Sequence, residues 1–472
     1  MNLPKELISA IGKLKEAGYE AYAVGGCVRD FLINREAKDW DVTTNAEPED
    51  IQKIFPKHFY ENNFGTVTVF IDSFPIEVTT YRVDQAYSDK RHPDSVKYTK
   101  SLKEDLKRRD FTINAMALSD NKEIVDLFNG EKDLKEKIIR AVGDPEERFN
   151  EDALRMMRAV RFAAQLKFEI NKETKDAIRK LSKNLQLISK ERIRDELKKM
   201  VMSDHPKYGF DLMTELGVLE QILPELAKGI GVGQNKHHIY DVYEHNTRAL
   251  QYTADQKYSL EVRLAALFHD VAKPQTKVGE GYDSTFYNHD IVGARITKKI
   301  LQRLKFSNKE IEKISLLVRY HLFYYNVDEV SESSVRRLIR KVGLGNMDDL
   351  ILVRFADRIG SGTPKAEPYK LRHFKYIVDK VSRDPITVKM LEIDGSEIMK
   401  LLNISPSPKI GLILNALLSE VLDDTSLNNK EFLERRVKEL NGFSDSVLIK
   451  MVKDAEDKIK SIEKEERSKF RV

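Results

Sequence analysis

The stretch GGCVRDFLINREAKDWDVTT, residues 25–44, decides the fold, because a glycine pair, a helical run and a strand follow one another in it. Gly25 and Gly26 come directly after the strand-like segment YEAYAV. Glycine at this position lets backbone N–H groups approach phosphate oxygens at a helix N-terminus, and Arg29 supplies a matching cation. A glycine pair is more often a simple turn, so it indicates a phosphate site only together with other residues.

Asp39 and Asp41 flank Trp40, the only tryptophan of the chain. Side chains alternate between the faces of a strand, so a strand beginning here places both carboxylates on one face and the indole on the other. Adjacent carboxylates repel each other, and oxygen ligands of this kind suit Mg²⁺ that also binds a substrate phosphate. The pair predicts a metal site, although acidic turns contain the same pattern.

Outward from this stretch, residues 20–140 alternate short β-rich runs with turns, whereas helical periodicity dominates from residue 145 onward. The pattern predicts an α+β fold in which a mixed sheet with helices is followed by all-α regions. The runs GTVTVFI and FPIEVTTYRV predict a hairpin around Asp72 and Ser73. Glu77 lies between apolar neighbours and is either a third carboxylate facing the metal or a surface residue of an edge strand.

Composition is that of a globular chain. The 472 residues are 41% hydrophobic and 33% charged, with a formal net charge of +4, which does not by itself indicate nucleic-acid binding. The single cysteine, Cys27, excludes an internal disulfide framework and fits a reducing compartment. The sequence shows neither a signal-peptide pattern nor a long apolar run, so we expect a cytoplasmic protein without a membrane partner.

Four blocks, which cover most of residues 22–168, occur in a recognisable order: GGCVRDFLINREAKDWDVTT, EVTTYRVDQAYSDKRHPDSVKYT, EDLKRRDFTINAMA and GDPEERFNEDALRMMRAVRFAAQLKF. This order resembles class II tRNA nucleotidyltransferases, the family of CCA-adding enzymes and bacterial poly(A) polymerases. The resemblance implies a head of the polymerase-β type. The residues it assigns are the metal-binding catalytic acids Asp39 and Asp41, the triphosphate ligands Gly26 and Arg29, and the nucleotide contact Arg109.

The segment NEDALRMMRAVRFAA, predicted to be part of one helix, carries charges at every third position: Asp152, Arg155, Arg158 and Arg161. They form either a solvated, salt-bridged face or, as the resemblance implies, a site that selects bases. A carboxylate accepts from the exocyclic amine of cytosine or adenine, where uracil and guanine present a carbonyl oxygen. Asp152 and Arg155 are predicted to contact the base. The resemblance adds Arg158 and Arg161, and the helical step of about 60° per three residues places Arg161 far from Asp152.

The polar segment DQAYSDKRHPDSVKYT, residues 84–99, lacks periodicity and resembles the family's flexible loop. That loop is associated with the switch from C to A addition, so its presence argues against an enzyme that adds only C. A second helix, ISKERIRDELKKMVMS, is predicted to begin with Ser189 as its N-cap.

Histidines of the helical half follow another order, found in YEHNTRAL, RLAALFHDVAKP and RFADRIG: His245, His269 with Asp270, and Asp357. The order resembles the HD phosphohydrolase superfamily, whose helical bundle binds a divalent metal. His289 and His321 match the additional ligands of HD domains that hold two metals, whereas other histidines fall outside the pattern: His237, His238 and His373. The resemblance implies a phosphoesterase that acts on phosphate monoesters or cyclic phosphates, here to repair a tRNA 3′ end.

Residues 392–424 resemble the family's small C-terminal helical domain, which contacts tRNA, although Ser407 stands where the family often has glycine. Lys409 is either a phosphate contact or ordinary surface, and the lysine- and glutamate-rich tail beyond 425 predicts a solvated helix. The predicted parts are a nucleotidyltransferase head (1–140), a helical neck (141–228), an HD-type domain (229–362) and a tRNA-binding tail (363–472).

Together these patterns predict a CCA-adding tRNA nucleotidyltransferase that uses CTP, ATP and Mg²⁺ and holds a second divalent metal at the HD site. An enzyme that adds only A and a poly(A) polymerase are the alternatives within this class. An HD phosphohydrolase with an RNA-binding head is the alternative of another class, and the intact Asp39, Asp41 and Arg109 argue against it. A tRNA-binding protein without activity would leave two metal sites unused. The sequence gives no indication of the oligomeric state.

Overall fold

Strands and helices alternate in the N-terminal part of the protein. The computed structural model describes residues 2–37, 39–60, 65–85, 95–234, 239–323, 325–326, 330–384 and 387–454. The elements of this part are, in chain order, α1 (Lys5–Glu16), β1 (Ala21–Val24), α2 (Gly26–Leu32), β2 (Asp41–Thr44), α3 (Pro48–Ile54), β3 (His58–Tyr60), β4 (Thr66–Ile71), β5 (Phe74–Thr80), β6 (Arg82–Gln85), β7 (Ser95–Tyr98), α4 (Leu102–Lys107), β8 (Met116–Leu118), β9 (Ile124–Asp126), α5 (Gly130–Glu136) and β10 (Ile138–Ile139).

A seven-stranded mixed sheet in the order β3-β4-β5-β2-β1-β8-β9 forms the core of this part. Strands β2 and β5 run parallel, and their neighbours in the sheet run antiparallel to them. Helix α1 covers one face, where Leu7 and Ile11 are buried with Ile76 and Val78 of β5. Because side chains alternate along a strand, Glu77 points to the opposite face. Its strand lies between β4 and β2, so the edge-strand alternative for Glu77 is wrong.

The hairpin predicted around Asp72 and Ser73 is confirmed. Ile71 pairs with Phe74, and both turn residues have positive φ, as the tight turn of a two-residue hairpin requires. The strand predicted to begin at Asp39 begins instead at Asp41. Asp39 is exposed in the bend before the strand, so strand alternation does not determine where its carboxylate points.

Trp40 packs in the core as predicted, with 8% of its surface exposed. The polar segment 84–99 contains more structure than its sequence predicted, because β6 and β7 pair antiparallel at its two ends. Its polar residues offer no apolar alternation that would have revealed this ribbon. Residues 86–94 of the segment lie outside the described residues.

Helices dominate the remainder. Its elements are α6 (Pro145–Glu151), α7 (Leu154–Leu166), β11 (Glu169–Ile170), α8 (Lys172–Leu181), α9 (Lys190–Val201), α10 (Pro206–Glu215), α11 (Leu219–Ile222), α12 (Pro224–Ala227), α13 (Val242–Asp255), α14 (Leu260–Phe268), α15 (Lys273–Thr276), β12 (Lys277–Val278), β13 (Thr285–Phe286), α16 (His289–Arg303), α17 (Asn308–Tyr320), α18 (Glu332–Val342), α19 (Met347–Gly360), α20 (Tyr369–Val381), α21 (Gly395–Leu402), α22 (Pro408–Asp423) and α23 (Lys430–Asn441). Among the described residues, no helix has both the length and the apolar character that a membrane span needs.

Two helix predictions need correction. The helix expected to run through Asp152 is interrupted there, because α6 ends at Glu151, Asp152 has an extended backbone, and α7 begins at Leu154. Ser189 does occupy the N-cap position of α9, but its side chain makes no capping hydrogen bond.

The tail is also more than a solvated helix. Helix α23 buries three apolar side chains, Leu433, Val437 and Leu440. Lys409 donates to the carbonyl of Asn441 at 2.7 Å and so holds the end of α23.

Candidate active site and candidate metal centre

Gly25, Asp41 and Arg109 converge on the face of the sheet opposite α1. A β-carbon placed on Gly25 would lie 3.2 Å from Nη1 of Arg109 and 3.7 Å from Oδ2 of Asp41. Gly25 also has a φ of 86°, which favours glycine. A side chain at this position would fill the space beside the carboxylate and the guanidinium. The sequence assigned Gly26 to the triphosphate; the structure places Gly25 against Asp41, and Gly26 lies beside Arg29.

Three carboxylates contribute negative charge near this point. Glu77 is the register partner of Asp41 across the parallel β2–β5 pair, so the two side chains project to the same face. Burial raises the pKa of Asp41 to about 6, with a further increase from the charges of Glu77 and Asp39 and opposition from Arg109. A divalent cation would relieve this crowding of negative charge. Among the described residues, two groups of potential metal ligands lie close together, and both are in the helical part. The three carboxylates of the head belong to neither group.

Asp105 holds Arg109 in place, although the sequence did not single it out. Its buried carboxylate accepts from Arg108 at 2.7 Å, from Arg109 at 3.3 Å and from the hydroxyl of Thr43 at 3.1 Å. Burial alone would raise the pKa of Asp105, but the two guanidinium groups hold it below its usual range. Thr43 follows Asp41 on the same face of β2, so Asp105 links Arg109 to that strand. The sequence contains one signal for this ion pair, because Asp105 and Arg109 are four residues apart, the spacing of side-chain pairs on one helix face.

A chain of hydrogen bonds joins the predicted nucleotide ligands Arg29 and Arg158. Arg29 donates to Oδ1 of Asn114 at 2.8 Å, Asn114 donates to Asp110 at 3.1 Å, and Arg158 donates to Asp110 at 2.8 Å. Burial alone would raise the pKa of Asp110, but Arg158 and Asn114 lower it to about 2. The guanidinium groups of Arg29 and Arg158 also lie 5.0 and 5.4 Å from the ring centroid of Phe162. The sheet part and α7 are therefore connected at the site.

Asp152 and Arg155 have separate protein partners. The Asp152 carboxylate accepts from both Nη atoms of Arg192, at 3.2 and 2.7 Å. Arg155 donates to Glu151 at 2.7 Å and to the carbonyl of Arg108 at 3.0 Å. At the start of α7 the backbone N–H of Arg155 donates to the carbonyl of Asp152 at 3.0 Å, but their side chains do not pair with each other.

Arg161 is buried and donates to Glu196 on α9 and to Gln165. Neither Arg192 nor Glu196 was found from the sequence, because each lies far along the chain from its partner.

The four predicted HD residues meet at a second, buried point: His245, His269, Asp270 and Asp357. Their ligand atoms lie within 4.8 Å of one another. Nε2 of His245 is 2.8 Å from Nε2 of His269 and 3.1 Å from Oδ2 of Asp270. Donors of this kind at this spacing can hold one divalent cation.

His289 and His321 form a second group with Asp270. Their Nε2 atoms lie 3.2 and 3.7 Å from Oδ1 of Asp270. Both Nε2 atoms are buried and have no hydrogen-bond partner among the described residues. Because Asp270 belongs to both groups, the residues fit two cations that share one carboxylate.

Backbone carbonyls fix the orientation of three of these imidazole rings. The Nδ1 atoms contact carbonyl oxygens as follows: His269 to Ala266 at 2.7 Å, His289 to Phe286 at 2.6 Å, and His321 to Val318 at 2.8 Å. A carbonyl oxygen only accepts, so Nδ1 carries the proton and Nε2 presents a lone pair. Metal-ligating histidines are commonly oriented in this way.

Charge at the HD centre is strongly coupled. Burial alone would lower the pKa of His269, but the carboxylates of Asp270 and Asp357 raise it to about 10. Burial would raise the pKa of Asp270, but His269 and Lys273 hold it well below its usual range. Lys273 Nζ lies 2.6 Å from Asp270. A cation therefore competes with a proton for His269. His237 and His238 lie outside the described residues.

Three stretches of the chain match known families. Residues 21–140 match the family described as Poly A polymerase head domain, residues 167–230 match Probable RNA and SrmB-binding site of polymerase A, and residues 242–361 match HD domain. With the mixed sheet and the helical HD centre, these matches define a nucleotidyltransferase of the poly(A) polymerase class that carries an HD domain.

Relatives identify the family within that class. The chain is 36% identical to the CCA-adding enzyme of Ligilactobacillus salivarius over 447 residues, which are 93% of this chain and 98% of the relative. It is 48% identical to the CCA-adding enzyme of Lactobacillus helveticus over 229 residues, which are 48% of this chain and 57% of that relative. The chain belongs to the CCA-adding enzyme family.

A solved structure shares this fold. The crystal structure of the Bacillus stearothermophilus CCA-adding enzyme in complex with CTP matches with a TM-score of 0.70 at 28% identity. The match covers 93% of this chain and 97% of that one.

Proposed function

We propose that this chain adds C, C and A in turn to the 3′ end of tRNA, using CTP and ATP, without a nucleic-acid template. The observation that carries the proposal is the convergence of Gly25, Asp41 and Arg109 on the face of the sheet opposite α1. In each step the 3′-hydroxyl oxygen bonds to the α-phosphorus, the bond to the β-phosphate oxygen breaks, and pyrophosphate leaves.

The residues of the head divide this work. Asp39 and Asp41, with Glu77 as a third carboxylate, would hold Mg²⁺, which would lower the pKa of the attacking hydroxyl and neutralise the leaving pyrophosphate. Arg109 contacts the nucleotide from the position that Asp105 gives it. The glycine pair and Arg29 hold the triphosphate so that the α-phosphate faces the hydroxyl, because correct positioning supplies much of the rate.

Selection between bases falls to Asp152 and Arg155. Both would exchange their present partners, Arg192 and Glu151, for the edges of cytosine or adenine. Arg158 belongs to the same nucleotide site through Asp110, and Arg161 supports α7 through Glu196. Residues 84–99 resemble the segment that the family associates with the change from C to A addition, and we assign that role to them here.

The chain is proposed to divide into a head (1–140), a neck (141–228), an HD domain (229–362) and a tRNA-binding tail (363–472). The three matched family ranges support this division.

The HD centre favours a second activity. Its potential ligands lie close together in the helical part and include no residue of the sheet part. We infer a phosphoesterase there that acts on phosphate monoesters or cyclic phosphates at a tRNA 3′ end. The ligands His245, His269, Asp270 and Asp357 would hold one divalent metal, and His289 and His321 would hold another with Asp270.

Incorporation onto defined tRNA ends tests the principal proposal. Purified protein is incubated with Mg²⁺, labelled CTP or ATP, and tRNA that lacks CCA, ends in C or ends in CC. We expect CMP on the first two substrates and a single AMP on the third. AMP incorporation onto the CC end without any CMP incorporation would leave an A-adding enzyme, and long A tails would leave a poly(A) polymerase.

A further inference from the structure

The side chain of Phe162 lies among three guanidinium groups. Their distances from the centroid of its ring are 3.9 Å for Arg161, 5.0 Å for Arg29 and 5.4 Å for Arg158. Arg158 and Arg161 belong to α7, as Phe162 does, whereas Arg29 belongs to α2 of the sheet part. A guanidinium within about 6 Å of an aromatic centroid is attracted by the negative face of the ring. The ring therefore attracts cations that come from two different parts of the head site.

Carboxylates balance the charge of these arginines. Each guanidinium has an acidic partner, as follows: Arg29 with Asp30 at 2.8 Å, Arg158 with Asp110 at 2.6 Å, and Arg161 with Glu196 at 2.5 Å. These acids lie on separate segments of the chain, so the ion pairs alone do not determine the spacing between one guanidinium and the next. The hydrogen bonds through Asn114 and Asp110 link Arg29 to Arg158. The ring of Phe162 is a second link between them, and it also includes Arg161.

The core fixes the orientation of the Phe162 ring. Only 5% of the surface of this residue is exposed. Its ring packs edge to face against Phe111, with centroids 5.8 Å apart and planes at 84°, which is a preferred arrangement of aromatic pairs. Phe111 follows Asp110 directly, and its backbone N–H donates to the Asp110 carboxylate at 2.8 Å. The segment that pairs with Arg158 therefore also holds the ring that lies next to Arg158.

We propose that Phe162 is a positioning residue for the incoming nucleotide, because its ring holds Arg29 and Arg158 at a set spacing. The proposal rests on the proposed function, in which Arg29 holds the triphosphate and Arg158 belongs to the same nucleotide site. A ligand that spans both guanidinium groups binds more tightly when they are already held in place, because less conformational entropy is lost on binding. The alternative is that Phe162 only fills space in the core, which a leucine of similar size would do nearly as well.

Equilibrium dialysis of labelled CTP and ATP against the full chain, with Mg²⁺ and without tRNA, tests the proposal. Phe162→Leu keeps an apolar side chain but removes the ring, and it is expected to weaken the Kd of both nucleotides about tenfold, because buried cation–π contacts are lost. Phe162→Tyr keeps the ring and should bind both nucleotides as the unchanged protein does. Phe168→Leu is the matched control, since Phe168 is also 5% exposed and lies just beyond the end of α7. It should leave both Kd values unchanged.

A double-mutant cycle with Arg29→Met separates positioning from packing. In the Arg29→Met background one of the guanidinium groups beside the ring is already gone, so Phe162→Leu should weaken CTP binding by a smaller factor than it does in the unchanged protein. Equal factors in the two backgrounds would overturn the inference, because a residue that only fills space acts independently of Arg29.

Other outcomes of the dialysis also decide the matter. Unchanged Kd values in Phe162→Leu overturn the inference, as does a loss of binding in Phe162→Tyr or Phe168→Leu as large as in Phe162→Leu. Weakened binding in Phe162→Leu alone supports it. These results do not depend on nucleotide addition, so a protein that binds CTP and ATP but incorporates neither onto tRNA would refute the proposed function and not this inference. Equal melting temperatures establish that the variants are folded.

Discussion

The head site and the HD centre hold their acidic residues in opposite ways. At the HD centre, two histidines and two aspartates lie within 4.8 Å of one another, and backbone carbonyls fix the ring of His269. In the head, Asp39 stands in an exposed bend, and Asp41 and Glu77 share a face without forming such a group. The HD residues lie close enough together to hold a metal by themselves, whereas under the proposed function the head residues would bind a cation together with each nucleotide.

This difference follows from the elements that carry the ligands. Packed helices α13, α14 and α19 fix the HD side chains, and each imidazole whose Nδ1 donates to a carbonyl has little freedom left. The head carboxylates repel one another, and burial raises the pKa of Asp41 to about 6. Under the proposed function the head binds and releases CTP, ATP and pyrophosphate, which would require metal ligands that are held together less tightly than those of the HD centre. We therefore expect metal to remain with the HD centre during purification and to be exchanged readily at the head.

Asp41→Ala is expected to have the largest effect. Nucleotide incorporation should fall about 1,000-fold or more, because several kcal/mol of transition-state stabilisation depend on the metal held there. Metal content measured by mass spectrometry should stay the same, because the HD ligands are untouched. Incorporation that survives in this variant would place the chemistry elsewhere.

Asp270→Asn tests the other site. Because Asp270 belongs to both ligand groups, the variant should lose bound metal and about 100-fold or more of any phosphoesterase activity. Incorporation of CMP should be retained. His321→Gln is the matched variant, since it belongs to one group and should lower the metal content by about half. Equal loss of metal in Asp270→Asn and His321→Gln would contradict the presence of two separate metal positions in the HD centre.

Asp105→Asn tests whether Asp105 positions Arg109 in the head site. Removal of the charge that pairs with Arg108 and Arg109 should lower kcat/KM for CTP about 10- to 100-fold, chiefly through KM, because Arg109 moves. Asp126→Asn is the control, since Asp126 accepts from the backbone N–H groups of Gly130 and Glu131 and does not contact Arg109. Similar steady-state kinetics for the two variants would show that Asp105 has only a structural role.

The smallest effect concerns stability without metal. The raised pKa of Asp41 means that the folded chain binds this proton more tightly than the unfolded chain does. This contribution to stability is complete at low pH and is lost as the pH rises from about 4 to about 6. Asp41→Asn should therefore stabilise the EDTA-treated protein at pH 7, by on the order of 2 kcal/mol, and hardly at pH 4. If calorimetry finds that Asp41→Asn changes the free energy of unfolding equally at pH 7 and pH 4, a destabilising buried charge at Asp41 is contradicted.

Patterns in short stretches of the sequence predicted features that involve residues near one another in the chain. The runs GTVTVFI and FPIEVTTYRV predicted the hairpin around Asp72 and Ser73, which is confirmed. They left Glu77 either facing a metal or on an edge strand, and only the strand order decided against the edge. The pairs Arg192–Asp152 and Arg158–Asp110 join residues 40 and 48 positions apart, and no local pattern carries such a contact. The break at Asp152 was missed because the apolar periodicity continues across it. The backbone of Asp152 is extended, and its carboxylate accepts from the backbone N–H of Leu154 and from Arg192.

The measurement that tests the central claim most directly is the 3′-end sequence of tRNA treated with the Asp270→Asn variant. tRNA that lacks CCA is incubated with CTP, ATP and Mg²⁺, and the ends are sequenced for the unchanged protein and for Asp270→Asn and Asp41→Ala. The account predicts complete CCA ends with the first two and no addition with Asp41→Ala. Loss of addition in Asp270→Asn, or CCA ends made by Asp41→Ala, would contradict two independent sites with nucleotide addition in the head.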